Sequence, residues 1–506
     1  MAETTDDTGF GQAATLSDLA AQALTRDPLT RAIEYEGRWF SWGAVSDLAR
    51  EVAALADAAG LPAGAPLALV ARNRPEMVAA LIGLIAAGRS VQMIYAFQAP
   101  VVIARDIETL RPGGVIAMAA DLDGPVRAAL EAHGLAGIIL DDMGARAAPG
   151  LGQARDPSAC AVGAPQVEVL TSGTTGPPKR FPIPFEMISR HHMGNSGMAG
   201  AAARPDPDAP PFLLFFPLGN ISGIYSTIPT MLRGQPATLL DRFTLEGWLG
   251  FIRRYRPAAA GLPPTAFRLL LDADVAAEDL ASLKVMATGA APLDPQVQRA
   301  FEERYGIPVL LSYGATEFGG PVAAMTVDLA TQFGGAKLGT VGRAMPGARL
   351  RVVDPETGAE VPRGGEGLLE VVSPRIGPDW IRTSDIAVID ADDFLFIRGR
   401  ADGAIIRGGF KLVPETIERA LLLHPSVGAA AVVGVKDERL GEVPGAVVQP
   451  RPGAEPLAAA EAEAHLRAHL PSTHIPVHWR FVGELPKNPS MKIDRPAVKR
   501  LFDTAS

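Results

Sequence analysis

The sequence predicts an α/β protein: a large N-terminal domain of β-sheets covered by helices, spanning 1–401, and a smaller C-terminal α+β domain over 402–506. Three observations predict it. Short apolar strands alternate with helix-length stretches along most of the chain, which favours helices packed over a largely parallel sheet. The texture changes after Arg400-Ala401-Asp402-Gly403. The 506 residues also exceed the roughly 250 to 300 at which a single hydrophobic core stops growing.

The alanine-rich stretch Ala44 to Ala59 reads as a helix, followed by the apolar strand Pro66 to Val70. Arg74-Pro75-Glu76 marks a helix start, because proline fits the first helical turn. The apolar run behind it, Met77 to Gly88, is too short for the roughly 20 residues that cross a bilayer, so it predicts a buried helix. Pro125 to His133 is helix-like and precedes the apolar Gly137 to Leu140. Between Gly144 and Gly163, alanine, glycine, proline and aspartate predict a surface connection. Pro295 to Tyr305 is again helix-like, ahead of Pro308 to Leu311. The last hundred residues predict a helix over Pro414 to Leu423, strands over Ala429 to Val435 and Gly445 to Gln449, and a helix over Leu457 to Leu470.

The charge balance argues against nucleic acid as a partner: the net charge is −9, with no basic stripe to neutralise phosphates. The acidic start, MAETTDDTGF, lacks the basic and apolar regions of a secretory signal. The single cysteine, Cys160, cannot close an internal disulfide, and a cytoplasmic location is expected. His191 and His192 have no spaced cysteine, histidine or carboxylate companions, so no metal site is expected there.

The strongest local signal is Thr171-Ser172-Gly173-Thr174-Thr175-Gly176-Pro177-Pro178-Lys179, placed after the strand-like Val167 to Leu170. Hydroxyls, glycines and a lysine in one loop can surround phosphate oxygens with O–H and N–H donors and a cation. The Gly-Lys-Ser/Thr ending of the Walker loop is absent, so this is a phosphate loop of another kind.

With this loop and the blocks that follow it, the chain resembles the adenylate-forming superfamily of acyl- and aryl-CoA synthetases, luciferases and peptide-synthetase adenylation domains. It is most similar to a stand-alone acyl- or aryl-CoA ligase. Ser312-Tyr313-Gly314-Ala315-Thr316-Glu317 resembles the family's adenine and magnesium segment. The resemblance implies that Tyr313 stacks on adenine, Thr316 contacts the AMP phosphate and Glu317 helps to hold Mg²⁺. Gly289-Ala290-Ala291 is similar to the small-residue turn beside the nucleotide. Within Arg382-Thr383-Ser384-Asp385 the resemblance gives Asp385 the ribose hydroxyls; in Gly399-Arg400-Ala401-Asp402 it gives Arg400 to the nucleotide and Asp402 to an interdomain hinge.

Pro486 to Arg495 resembles the C-terminal catalytic loop, with Lys492 at the lysine position and Met491 where the family usually has glycine. Lys487 and Lys499 read as surface lysines. Gly408, Gly409 and Lys411 resemble the segment that approaches the thiol acceptor once the mobile small domain has rotated. Phe215 to Tyr225 resembles the mouth of the acyl pocket, although Asn220 stands where a histidine or aromatic is common. Asn220, Tyr225, Gly314 and Phe318 are the candidate pocket residues.

The resemblance therefore implies an enzyme that uses ATP and Mg²⁺ to convert a fatty, alicyclic or aromatic acid into its acyl-adenylate, then transfers the acyl group to coenzyme A. Amine and carrier-protein acceptors are the alternatives, and a non-catalytic nucleotide-binding regulator is the reading from another class. Neither a membrane span nor a nucleic-acid partner is expected, and the assembly is expected to be a monomer or homodimer.

Overall fold

The computed structural model describes residues 14–156, 162–171, 179–193, 209–401, 403–407, 410–437, 440–488 and 492–503. The chain divides into two compact units, one running to Thr171 and from Arg180 to Phe251, the other from Ile252 onward. The boundary expected at 401/402 falls inside the second.

In the first unit, a seven-stranded sheet is ordered Gly144–Ala147, Ala136–Asp141, Gly114–Met118, Leu67–Ala71, Val91–Tyr95, Gln166–Thr171, Lys179–Pro184. Its central pairings are parallel, and Leu67–Ala71 and Val91–Tyr95 are buried along their whole length. That continuous burial is why these strands read as apolar runs instead of alternating patterns. The helix Pro75–Ala86 opens with the expected proline, and eleven of its residues are buried, Pro75 to Ile85. Gly83 allows this helix to meet the helix Trp42–Ala58, since a Cβ there would stand 2.9 Å from the Cα of Ala49. A four-stranded sheet, Phe212–Leu214, Ala237–Leu239, Arg31–Tyr35 and Arg38–Ser41, completes the unit.

One expectation is corrected here. Gly144–Ala147 is a strand, antiparallel to Ala136–Asp141, not part of a surface connection. The hairpin turns through Asp142 and Met143, both with positive φ, at 39° and 58°. Such turns favour Asn-Gly, Asp-Gly or Gly-Gly; Asp142 suits the first position, but Met143 stands where glycine is usual, so the signature is incomplete.

The second unit contains three sheets. Ala259–Gly261, Val285–Thr288, Val309–Ala315, Gly320–Ala324 and Arg343–Ala344 form a mixed five-stranded sheet, and Arg349–Val353, Glu366–Val372, Ile381–Ile389 and Leu395–Arg400 form an antiparallel one. Gly342, just before Arg343–Ala344, accepts from the Leu395 amide of the second sheet at 2.9 Å; its φ is 85° and a Cβ would fall 1.9 Å from the Ala324 carbonyl carbon, so only glycine fits. The third sheet, Phe410–Leu412, Ile405–Arg407, Gly441–Pro450 and Val427–Asp437 with His478–Phe481 added at one side, packs against the helices Pro414–Leu422 and Ala459–Arg467 around Ile417, Leu421, Val432, Val448 and Leu466. This is the α+β arrangement expected after residue 402. The expected helix over Leu457 to Leu470 is confined to Ala459–Arg467.

Candidate active site

The strand Val309–Ala315 runs parallel to Val285–Thr288 and then turns back through the 3-10 turn Thr316–Phe318 into Gly320–Ala324. This hairpin carries Tyr313, Thr316 and Glu317 on consecutive parts of one edge. Beside it lies the turn after Val285–Thr288. A Cβ on Gly289 would come within 2.5 Å of the Ser312 hydroxyl, and Ala290 adopts a left-handed φ of 66°. Close backbone approach, which glycine permits, thus brings Gly289-Ala290-Ala291 against the strand that bears Tyr313.

The antiparallel ladder supplies the next groups. Asp385 on Ile381–Ile389 is directly opposite Arg400 on Leu395–Arg400, and their side chains form an ion pair at 3.3 Å. Arg400 also donates to the Ser384 hydroxyl, and the Asp385 amide donates to Thr383 Oγ1 at 3.0 Å. The Tyr313 phenol donates to the other Asp385 oxygen. Burial, then the negative charge of Asp385, push the Tyr313 phenol far above its ordinary value, so it remains a neutral donor.

Lys492 sits in a narrow loop closed by its own backbone. The Asn488 amide donates to the Lys492 carbonyl at 2.7 Å, the Lys492 amide donates to Asn488 Oδ1 at 3.0 Å, and Lys487 bridges Ile493 in antiparallel fashion. The residue keeps solvent-exposed surface, but protein crowds its ammonium. Desolvation pulls its pKa below the usual lysine value, opposed by the carboxylates of Glu317 and Asp385 and reinforced by Arg400. The ammonium is therefore within electrostatic reach of Glu317, Asp385 and Arg400 together, although these residues lie on three separate stretches of chain.

Behind the loop, Arg495 is held by Glu418 Oε1 at 2.9 Å, Glu418 Oε2 at 3.1 Å, Glu415 Oε1 at 3.0 Å and the Val432 carbonyl at 2.8 Å. This clamp fastens the loop to the helix Pro414–Leu422. It was not legible in the sequence, where Arg495 looks like any terminal arginine.

The remaining candidates are distributed as follows. Thr171 ends one strand and Lys179 begins the next; Ser172, Gly173, Thr174, Thr175 and Gly176 between them lie outside the described residues, as do Cys160, Asp402, Gly408 and Gly409. Lys411 pairs with Ile406 in a short hairpin. Asn220 caps the helix Ile221–Arg233, its Oδ1 accepting from the Gly223 amide at 2.8 Å. Tyr225 stacks on His192 with ring centroids 3.8 Å apart. In the second unit, Gly314 is required by packing, since a Cβ would stand 2.5 Å from the Gly320 carbonyl oxygen. Phe318 is 3% exposed, within the core formed by Val322, Leu369 and Val371.

Two buried polar residues escaped sequence reading because neither belongs to a motif. Asn73, 2% exposed, donates to the Phe216 and Leu240 carbonyls and accepts from the Leu218 amide, fixing the segment that leads to Asn220. Ser373 is fully buried and donates to the Phe318 carbonyl.

Glu317 presents an exposed carboxylate. Among the described residues no group of three or more His, Cys, Asp or Glu side chains is arranged to hold a metal ion. A single carboxylate at the rim suits Mg²⁺, which is held by one or two carboxylates plus substrate phosphates instead of an all-protein cage. No helix among the described residues is long and apolar enough to cross a membrane.

The chain is 30% identical over 344 residues to the 2-succinylbenzoate–CoA ligase of Bacillus pumilus, covering 65% of this chain and 68% of that protein. It is 29% identical over 481 residues to the sulfoacetate–CoA ligase of Cupriavidus necator, covering 91% and 92%. Among solved structures, the amide bond synthetase McbA from Marinactinospora thermotolerans superposes with a TM-score of 0.76 at 26% identity, covering 96% of this chain and 99% of that one. Residues 416–492 match the family model for the AMP-binding enzyme C-terminal domain, and with residues 20–378 matching the AMP-binding enzyme model, the chain belongs to the AMP-binding enzyme family.

Proposed function

We propose that the protein is an AMP-forming acyl-CoA synthetase, with the domain boundary at 401/402 and the site residues in the roles given above. The observation that supports this reading is the cluster in which Asp385 pairs with Arg400 and accepts from Tyr313, with Glu317 and Asp385 acting electrostatically on the Lys492 ammonium. The acid's carboxylate oxygen attacks the α-phosphorus of ATP. An oxygen–phosphorus bond forms while the bond to the bridging oxygen breaks, and pyrophosphate leaves with the electron pair. Two anions must meet in this step, so alignment and charge stabilisation supply the catalysis.

Lys492 supplies a cation between carboxylate and α-phosphate, and Thr171 to Gly176 with Lys179 supply donors for the pyrophosphate. Asp385 accepts from the ribose hydroxyls, Tyr313 offers a ring face to adenine, and Thr316 donates to the α-phosphate. Mg²⁺ held by Glu317 would neutralise phosphate charge when bound. In the second step the coenzyme A thiol, losing its proton, attacks the acyl carbon, and AMP departs. Asp402 is the hinge for the rotation between steps, with Gly408, Gly409 and Lys411 on the acceptor side.

The relatives named above are CoA ligases for unlike acids, so the substrate class is left at a carboxylic acid, with Asn220, Tyr225, Gly314 and Phe318 as its candidate surroundings. The likeness to an amide bond synthetase at 26% identity favours one second reading, an amine acceptor. Acid-dependent exchange of labelled pyrophosphate into ATP, run over a panel of acids, tests the first step. Product analysis with coenzyme A or an amine then separates the two acceptors. Absence of exchange with every acid would overturn the proposal.

A further inference from the structure

The turn that carries Glu317 is joined to the next strand through two glycines at positive φ, Gly319 at 66° and Gly320 at 118°. The ladder beneath it is irregular, its register shifting between Tyr313 and Gly314. Within the turn one backbone bond closes the loop, from the Gly319 amide to the Thr316 carbonyl at 2.9 Å. Strand pairing alone gives such a turn little hold on the direction of the Glu317 side chain.

The buried Phe318 ring anchors one point of the turn, and two side chains from beyond the end of the strand Glu366–Val372 add a hold on its backbone. Ser373, 0% exposed, donates its hydroxyl to the Phe318 carbonyl at 2.6 Å, and the Arg375 amide donates to the same hydroxyl at 3.4 Å. The Arg375 guanidinium donates to the Pro321 carbonyl. The carbonyls they grip flank the Gly319-Gly320 pair, one on each side. Ser373 and Arg375 thus hold the backbone on both sides of this glycine pair, alongside the buried Phe318 ring.

Resting on the adenylate-forming reading above, we propose that Ser373 and Arg375 are positioning residues that fix the Thr316–Phe318 turn so that Glu317 meets the metal–nucleotide complex. Neither touches substrate. Their effect reaches the nucleotide through Glu317, so it falls on metal–nucleotide affinity and spares the acid.

The experiment titrates Mn²⁺–ATP into the full-length protein and reads binding by water-proton relaxation, with amide hydrogen exchange of the peptide covering 316–324 measured in parallel. Ser373→Ala is expected to weaken Mn²⁺–ATP binding about tenfold, a change worth about 1.4 kcal/mol, and to speed exchange in that peptide. Arg375→Met should do the same to a smaller degree and Arg375→Lys should recover part of the loss; these serve if Ser373→Ala folds poorly. In pyrophosphate exchange, Ser373→Ala added to Glu317→Gln should cost nothing further, because the path through Glu317 is already cut. Equal Mn²⁺–ATP affinity and unchanged amide exchange in all three variants would overturn the proposal, as would full additivity with Glu317→Gln. Wild-type protein that binds Mn²⁺–ATP but exchanges pyrophosphate with no acid would instead count against the adenylate-forming reading and leave the positioning role standing.

Discussion

Arg495→Met removes the centre of the clamp behind the Lys492 loop, and its consequences can be worked from the structure. Arg495 makes four hydrogen bonds of 2.8 to 3.1 Å, three of them to carboxylate oxygens of Glu415 and Glu418. The Glu418 side chain is only 11% exposed, and burial already raises its pKa against the attraction of Arg495. Breaking a buried ion pair by removing one partner costs roughly 3 to 5 kcal/mol, because the other charge is left uncompensated. Methionine keeps most of the apolar stem, so the loss reports on charge and hydrogen bonding. Glu418 would relieve part of the strain by taking up a proton.

The assay is native-state amide hydrogen exchange over Val427–Asp437, where the Val432 amide donates to Glu418 Oε1 at 2.7 Å. It reads the stability of this region directly, without assuming that a chain of several domains unfolds in one step. A fall of about 3 kcal/mol in local protection is expected, with Arg495→Met/Glu418→Gln recovering part of it. A fall below about 1 kcal/mol, or a double variant no better than the single, would refute the reasoning.

Lys492→Ala should lower acid-dependent pyrophosphate exchange by roughly 10² to 10³, the usual effect of losing one positioned donor, while transfer from preformed adenylate suffers less; equal loss in both assays would count against the assignment. Since the Lys492 pKa is lowered, first by desolvation, its cation is present at low pH and lost as pH rises through the depressed value. The alkaline limb of the pyrophosphate-exchange profile should therefore begin below the ordinary lysine value of 10.5, and Lys492→Ala should abolish that limb in whatever rate remains. Gly342→Ala should destabilise the protein by at least 2 kcal/mol or prevent soluble expression, as both the positive φ and the 1.9 Å approach to Ala324 oppose a side chain; an unchanged thermal transition would contradict this packing.

The seven-stranded sheet was legible because buried parallel strands and amphipathic helices leave different periodicities, and Pro75 and Pro295 mark helix starts in sequence as they do in space. Tyr313, Glu317, Asp385, Arg400 and Lys492 were legible as blocks in a recognisable order. Their mutual distances were not, because the ladder pairing of Asp385 with Arg400 depends on register, which local pattern does not specify. Supporting residues were the least visible. Ser373, Asn73 and Arg495 act through hydrogen bonds to backbone or carboxylates that are mostly remote in sequence, and isolated polar residues carry no periodic signal. The Asp142-Met143 hairpin was missed because Met143, at φ 58°, stands where glycine usually completes such a turn.

Asn220, proposed above as a pocket residue, also serves the fold. Its amide oxygen is already committed to the start of the helix that bears Tyr225, so a library randomised at this codon would sample folding defects along with altered selectivity. Aspartate or serine would preserve the bond, whereas an aromatic replacement would give up this cap. Position 220 therefore has an architectural duty as the cap of Ile221–Arg233, whatever its part in the proposed acyl pocket.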